Sequence, residues 1–332
     1  MSETTLKDSL SPDTVDRSDD RQVIAPRRWT LHGLNSGGIF GATRRGVGFL
    51  PRRVSYAIGH VGTWIAWRNL TSTREAVADN LSAIFPDESR ETLERRALLT
   101  LRSYARDTID FLKALDARGR DRDALFSMTA AQTALFEGLR ARGKGVILLT
   151  GHFGNWEAGS VLFALRRLPF TIVAMAEVDP AVNRIRREIR DRIGTDTIEV
   201  RQALDTALQI RRRLAENRVV AMLVDRHYGR DRVRVTLLGR PAWFLRTPFV
   251  MGYVTGAPVL PCAVERIGPG RFAIRPGEPI YLCSDVPRSE AIERAAQQMA
   301  NALEERIREH PEFWYQFYRY WDAQRDEYPG LS

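Results

Sequence analysis

The sequence predicts an α/β fold: a mainly parallel central sheet flanked by helices and preceded by further N-terminal helices. Three observations carry this. Short, continuous apolar runs such as Val146-Ile147-Leu148-Leu149 and VVAMLV at 219–224 read as strands buried on both faces. Between such runs, apolar residues recur at intervals of three and four, the spacing of amphipathic helices. The two patterns alternate from about residue 131 to 310 with no internal repeat and no long linker, as expected of a layered α/β core.

Taken in order, residues 1–25 are polar and rich in Ser, Thr and Asp and are expected to form a disordered tail. Residues 26–75 carry many arginines and one acid, Glu75, with Trp29, Phe40, Tyr56, Trp64 and Trp67 among them. Val54, Ile58, Val61, Ile65 and Trp67 partly follow helical spacing. Arginines among aromatic rings suit a helix lying on an anionic membrane surface. The alternative is an ordinary helix packed on the core with solvated arginines. Residues 76–130 read as a helical lead-in, where Leu93, Ala97, Leu101, Tyr104 and Thr108 form a stripe and Pro86 divides two helices. The core at 131–310 opens with a helix near 131–142 and the strand at 146–149. A helix at 157–167, a strand in FTIVAMAE, a basic helix through NRIRREIRDRIG and a strand in DTIEV follow. After a helix at 202–215 come VVAMLV, then a strand pair made of VRVTLLG and, beyond a helix near 246–255, APVLPCAVER. FAIRPGEPIYL adds a strand after the IGPG turn, and 289–309 closes the core as a helix. The domain is expected to run to residue 322, with 323–332 as a tail.

Net charge is +9, with 50 Lys and Arg against 41 Asp and Glu. Lysine occurs only at positions 7, 113 and 144. The arginine bias reflects either genomic base composition or an anionic partner. Two cysteines, Cys262 and Cys283, make neither a disulfide framework nor a zinc site, and Cys262 reads as a small buried hydrophobe. No cleavable signal peptide and no run long enough to span a bilayer are expected, so the chain should be cytosolic or bound to a membrane from one side. His32 and His60 have no nearby carboxylate or cysteine in the sequence and are expected to be structural.

The chemistry concentrates in GVILLTGHFGNWE, residues 145–157. Ligands of open α/β sheets bind beyond the carboxyl ends of strands, where His152, Asn155 and Glu157 should fall. Histidine is the side chain best suited to move a proton near neutral pH. A carboxylate on its second nitrogen fixes the tautomer. Residues five apart on a regular helix point about 140° apart, so His152 and Glu157 can meet only if Gly151 and Gly154 turn the backbone first. Amide groups at that turn could face a developing oxyanion. There is no G-x-S-x-G elbow, no cysteine beside a histidine and no H-E-x-x-H metal pair. The arrangement therefore suits direct general-base attack by a hydroxyl and needs no metal or other cofactor.

TGHFGNWE resembles the first motif of the bacterial lipid A late acyltransferases, the lauroyl/myristoyl transferase group within the lysophospholipid acyltransferase superfamily, which carries H-x4-D/E after an apolar strand. NLSAIFPDES, LVDRHYGRDRVRVTLLGRPAWF, TGAPVLPCAVER and HPEFWYQFYRYW are similar to further blocks of that family, in the same order over roughly residues 45–322. The segment IVAMAEVDPAVNRIRREIRDRIG is closer to the phosphatidylinositol-mannoside acyltransferases of the same family, with Glu177 at an acidic position of that branch. The N-terminal anchor usual in the family is reduced here to the arginine-broken stretch.

The resemblance implies a glycerol-3-phosphate acyltransferase-like fold. It also implies transfer of a fatty acyl group from a thioester, on acyl carrier protein or coenzyme A, to a hydroxyl of a membrane lipid or glycolipid. His152 is then the base and Glu157 its orienter, with Asn155, Gly154 and the Phe153 amide toward the thioester oxygen. Asp225, Arg226 and Gly229 should border the same crevice. Arg226 is either a ligand of an acceptor phosphate or the partner of Asp225 in an ion pair, and Arg246 is a second candidate. His227 is expected exposed in the turn. The helix at Arg184–Arg192 either docks an acidic carrier protein or is a solvated face, and the aromatic C-terminal segment is expected to serve packing. The expected location is the cytoplasmic face of the inner membrane, bound peripherally. The competing readings are a non-catalytic membrane-surface protein on the same fold and an acyltransferase of a secondary-metabolite lipid pathway. No nucleic-acid motif accompanies the positive charge.

Overall fold

Leu148 and its neighbours are buried on both sides because helices cover both faces of the sheet they lie in. The computed structural model describes residues 46–116, 125–166, 168–175, 180–227, 229–282 and 285–325. The expected tail at 1–25, residues 26–45 of the basic segment, Glu177 and Cys283 lie outside the described residues.

Ahead of the alternating core lie the helices α1 (Arg52–Asn69), α2 (Thr71–Leu81) and α3 (Arg90–Asp116). The alternating core then runs β1 (Phe126–Ser127), α4 (Ala130–Ala141), β2 (Val146–Thr150), α5 (Trp156–Leu165), β3 (Phe170–Ala174), α6 (Pro180–Ile193), β4 (Asp196–Glu199), α7 (Ala203–Ala215) and β5 (Val219–Leu223). A hairpin, β6 (Arg232–Leu237) and β7 (Arg240–Leu245), leads to α8 (Thr247–Thr255), β8 (Val259–Gly268) and β9 (Arg271–Pro276). The long helix α9 (Arg288–Glu309) and the short α10 (Tyr320–Arg325) close the chain.

The main sheet has seven strands in the order β1-β9-β8-β2-β5-β3-β4. Strands β8, β2, β5, β3 and β4 run parallel to one another. Strand β9 runs antiparallel to β8, because the tight IGPG turn joins them directly and a parallel return needs a crossover. VRVTLLG does not enter this sheet. It pairs antiparallel with β7, and this hairpin packs over α9. Its Arg-Val-Arg-Val-Thr-Leu alternation buries Val233, Val235 and Leu237 and leaves the residues between them more exposed, the pattern of a strand covered on one face only.

Alternate residues of β2 feed two cores. Ile147 and Leu149 pack with α7, α8, the hairpin and Ala296, Met299, Ala300 and Leu303 of α9. Val146 and Leu148 pack with Phe163, Ile189, Leu260 and residues of α3 and α4.

Helix α1 lies on α3. Its inner face is polar: Arg52 Nε and Tyr56 Oη both donate to the buried Asp110 carboxylate, at 3.0 and 2.6 Å, and Trp67 Nε1 donates to Glu94 O at 3.0 Å. Its outer face is apolar. Val54, Ile58, Val61 and Ile65 are exposed, Ile58 and Val61 by 57% and 60%, with Phe49 just before the helix exposed by 92%. No helix among the described residues is long and apolar enough to cross a membrane.

Candidate active site

The parallel register aligns Thr150 of β2 with Leu223 of β5. Two residues past each strand end come His152 and Asp225, which therefore emerge side by side at the carboxyl edge of the sheet. Asp225 is fully buried and holds the histidine twice: Oδ1 lies 2.7 Å from His152 Nδ1, and Oδ2 accepts the His152 backbone amide at 2.8 Å. Burial alone would push the Asp225 carboxyl up. The His152 charge and hydrogen bonds, together with the Arg226 charge, outweigh it and hold the group below the usual carboxylate range. An ionised carboxylate only accepts, so Nδ1 carries a proton in either charge state of the ring, and in the neutral imidazole the lone pair falls on Nε2. The His152 side chain is 15% exposed and meets the edge of the Trp156 ring, with centroids 5.3 Å apart.

The expected orienter, Glu157, is not the carboxylate bonded to His152. Helix α5 begins at Trp156 with Asn155 as its N-cap, so Glu157 is already on the first helical turn and is carried away from the imidazole. It pairs instead with Arg186 of α6. The glycines do turn the backbone, but toward a different end.

Asn155 and Gly154 are likewise committed elsewhere. Asn155 Oδ1 caps α5 by accepting from Ala158 N at 3.1 Å, and Nδ2 donates to Asp107 O at 2.8 Å. The Gly154 amide donates to Phe313 O at 2.9 Å. Gly154 has φ +60°, and a Cβ there would sit 2.2 Å from Val264 O. Both residues build the turn. Asp107, beneath this turn, is buried and bonded to Arg266 Nε at 2.8 Å and to Tyr315 Oη. Burial pushes its carboxyl up to about 6 against the pull of Arg266 and Tyr315.

A histidine held by a buried aspartate stands at the end of a parallel strand, just ahead of helix α5, where the H-x4-E motif puts it, although the expected partner was Glu157. The profile of the family described as "Bacterial lipid A biosynthesis acyltransferase" matches residues 22–323. The chain belongs to this family. It is similar to the phosphatidylinositol mannoside acyltransferase of Mycobacterium tuberculosis strain ATCC 25618 / H37Rv, at 25% identity over 188 residues, 56% of this chain and 58% of that protein. The chain thus matches less than two thirds of the length of that relative. A protein of the same name from Mycolicibacterium smegmatis is 24% identical over 278 residues, 82% of this chain and 87% of the relative.

In this family member the remaining candidates gather at the end of β5 or fall away from it. Arg226 follows Asp225 but does not pair with it directly. Its guanidinium donates to Gln316 Oε1 at 3.0 Å and to Tyr315 O at 3.4 Å, and lies 5.0 Å from the centre of the Tyr318 ring. His227 is fully buried, not exposed in the turn. Gly229 lies in the turn that leads to the hairpin. Leu245 N donates to Val224 O at 2.9 Å, and Arg246, the N-cap of α8, acts on the buried Asp231 carboxyl. Glu177 lies outside the described residues. On α6, Arg186 is taken by Glu157 and Arg187 by Glu199. Cys262 is buried, and burial raises its thiol to about 12, as suits a packing residue. Among the described residues no cluster of His, Cys, Asp and Glu could hold a metal ion.

Sequence reasoning missed two things here. Asp225 was placed at the crevice without its role, because the adjacency of β2 and β5, separated in sequence by β3 and β4, is a property of the sheet order. Gln316 was missed altogether: it lies in an aromatic segment whose residues read as packing.

Proposed function

We propose that the chain transfers a fatty acyl group from a thioester to a hydroxyl of a membrane-borne glycolipid, with His152 as general base and Asp225 as its orienter. The observation that carries this is the His152–Asp225 pair, buried on the aspartate side and open on the imidazole side. Nε2 takes the proton of the acceptor hydroxyl as its oxygen attacks the thioester carbonyl. The C–S bond then breaks, and the imidazolium returns the proton to the departing thiolate, so that an ester and a free thiol result. Such assistance contributes about 10²–10⁴ in rate. Family membership supports the reaction class, and the names of the mycobacterial relatives favour a phosphatidylinositol mannoside-like acceptor over a lipid A-like one. The outer face of α1 supports a peripheral position on the membrane, apolar residues entering the interface and arginines meeting anionic headgroups. The donor is an acyl carrier protein or coenzyme A thioester.

The test is acyl transfer from labelled acyl carrier protein and labelled acyl-CoA into a membrane lipid extract. Mass spectrometry then identifies the acceptor. His152→Ala should abolish the product, and Asp225→Asn should lower kcat by about 10²-fold or more, since an amide can hold the wrong tautomer. A wild-type chain that transfers from neither donor, yet binds anionic vesicles with and without His152, would leave the non-catalytic surface protein as the correct reading.

A further inference from the structure

Asp225 Oδ2 accepts a second hydrogen bond, from Gln316 Nε2 at 2.7 Å. The other end of the same amide, Oε1, accepts from Arg226 Nε at 3.3 Å and from its terminal nitrogen at 3.0 Å. The orientation of this amide is fixed by its neighbours: a guanidinium only donates and an ionised carboxylate only accepts, so the amide can face them in one way alone. Gln316 is 1% exposed, and its backbone carbonyl is held by Asn80 Nδ2 at 3.0 Å. The preceding residue, Tyr315, donates its amide to His152 O at 2.8 Å. The glutamine is therefore anchored to the same strand end as the base.

This spacing matters for the imidazole. A guanidinium beside a carboxylate tends to take both oxygens in a bidentate fork, and Oδ1 would then be lost to His152. With the amide between them, Arg226 polarises Gln316, and Gln316 donates to Oδ2 only. Oδ1 stays directed at Nδ1, while part of the carboxylate charge is drawn off. Less negative charge on Asp225 means a less stabilised imidazolium and more neutral base near pH 7.

We propose that Gln316 is a positioning residue of the acyl-transfer site, a neutral spacer between Arg226 and Asp225 that reserves one carboxylate oxygen for His152 and sets the basicity of the imidazole. This rests on the reading of His152 as general base.

The experiment is an NMR titration of the full chain labelled with [13Cε1]histidine, with the His152 signal identified by its loss in His152→Gln. Gln316→Leu removes the donor, and Gln316→Glu replaces it with a second acceptor that still pairs with Arg226. Both should move the His152 titration to higher pH, the leucine variant by about half a unit to one unit and the glutamate variant further. In transfer assays the acid limb of the rate profile should move the same way. Gln316→Leu should lower kcat about tenfold, the scale of one hydrogen bond to a charged group, with KM for the thioester unchanged. A folded Gln316→Leu chain whose His152 titrates as in the wild type would overturn the proposal. If Gln316→Leu does not fold, an unmoved titration in Gln316→Glu overturns it equally. A wild-type chain without transferase activity would sink the catalytic reading, while the titration still decides what Gln316 does to His152.

Discussion

Glu157 is five residues from His152 but is bonded to another helix. Its carboxylate meets Arg186, and both side chains are more than four-fifths buried, at 18% and 16% exposed. Removing one partner of such a pair leaves the other charge uncompensated, which costs more than the pair itself contributes. Glu157→Ala and Arg186→Ala should therefore each lower stability by about 1–3 kcal/mol, and the double variant should be no worse than the poorer single one. Denaturant titration of the four proteins measures this. Additive losses would show that the two side chains act independently. Asp225 shows the limit of spacing arguments at this scale. The carboxylate bonded to His152 is 73 positions away in sequence, and nothing local distinguishes it from Glu157.

At the scale of elements, the turn between β2 and α5 depends on one position. Gly154 combines a left-handed backbone with a Cβ site occupied by the Val264 carbonyl, so no side chain fits without moving β8. Gly154→Ala should cost about 2–4 kcal/mol, read as a lowered denaturation midpoint and lost transfer. Helix α3 carries a second device. Asp107 stays protonated in the fold to about pH 6, whereas in the unfolded chain it ionises near pH 4. Between those values the native state binds the extra proton, so stability falls as pH rises. The contribution, up to about 3 kcal/mol by pH 6, should be missing in Asp107→Asn. Denaturation midpoints at pH 4.5 and 6.5 for both proteins check the sign. The strands and helices themselves were readable because their residues are alike in kind: VILLT and VVAML can only be buried runs, and α9 keeps its apolar stripe through five turns of sequence. Of the hairpin, VRVTLLG is legible as a strand, and the family resemblance implies a short strand pair in this block, as found. Periodicity alone does not mark the second strand, which starts Arg240-Pro241 and buries only alternate residues. β1, two residues long, is defined by its pairing with β9 and carries no pattern of its own.

At the scale of the whole molecule, the exposed stripe of α1 and the Arg52–Asp110 ion pair beneath it divide one helix between two environments. Arg52 and Tyr56 tie it to Asp110 on α3, so its position on the body does not depend on the apolar side. Ile58→Glu and Val61→Glu should then reduce flotation with anionic vesicles about tenfold or more, since each removes apolar contact and adds repulsion. The melting temperature should stay within about 2 °C, because both residues are exposed. Loss of folding in either variant would mean that the stripe packs against protein. The alternation of charge and ring in residues 26–75 made this face visible in the sequence. Which side of the helix would face the body depended on Asp110, which the sequence placed on a helix but not opposite Tyr56.

The segment 313–316 crosses the turn after β2: Phe153 bridges Trp314, and the amides of Gly154 and Tyr315 exchange bonds with Phe313 and His152. During synthesis the ribosome delivers His152 and Asp225 long before it delivers this strand. The same segment buries the rings of Phe313, Trp314 and Tyr315 in the body. A fragment cut before Pro311 should therefore lose part of its core together with the backing of His152, read as a lowered denaturation midpoint.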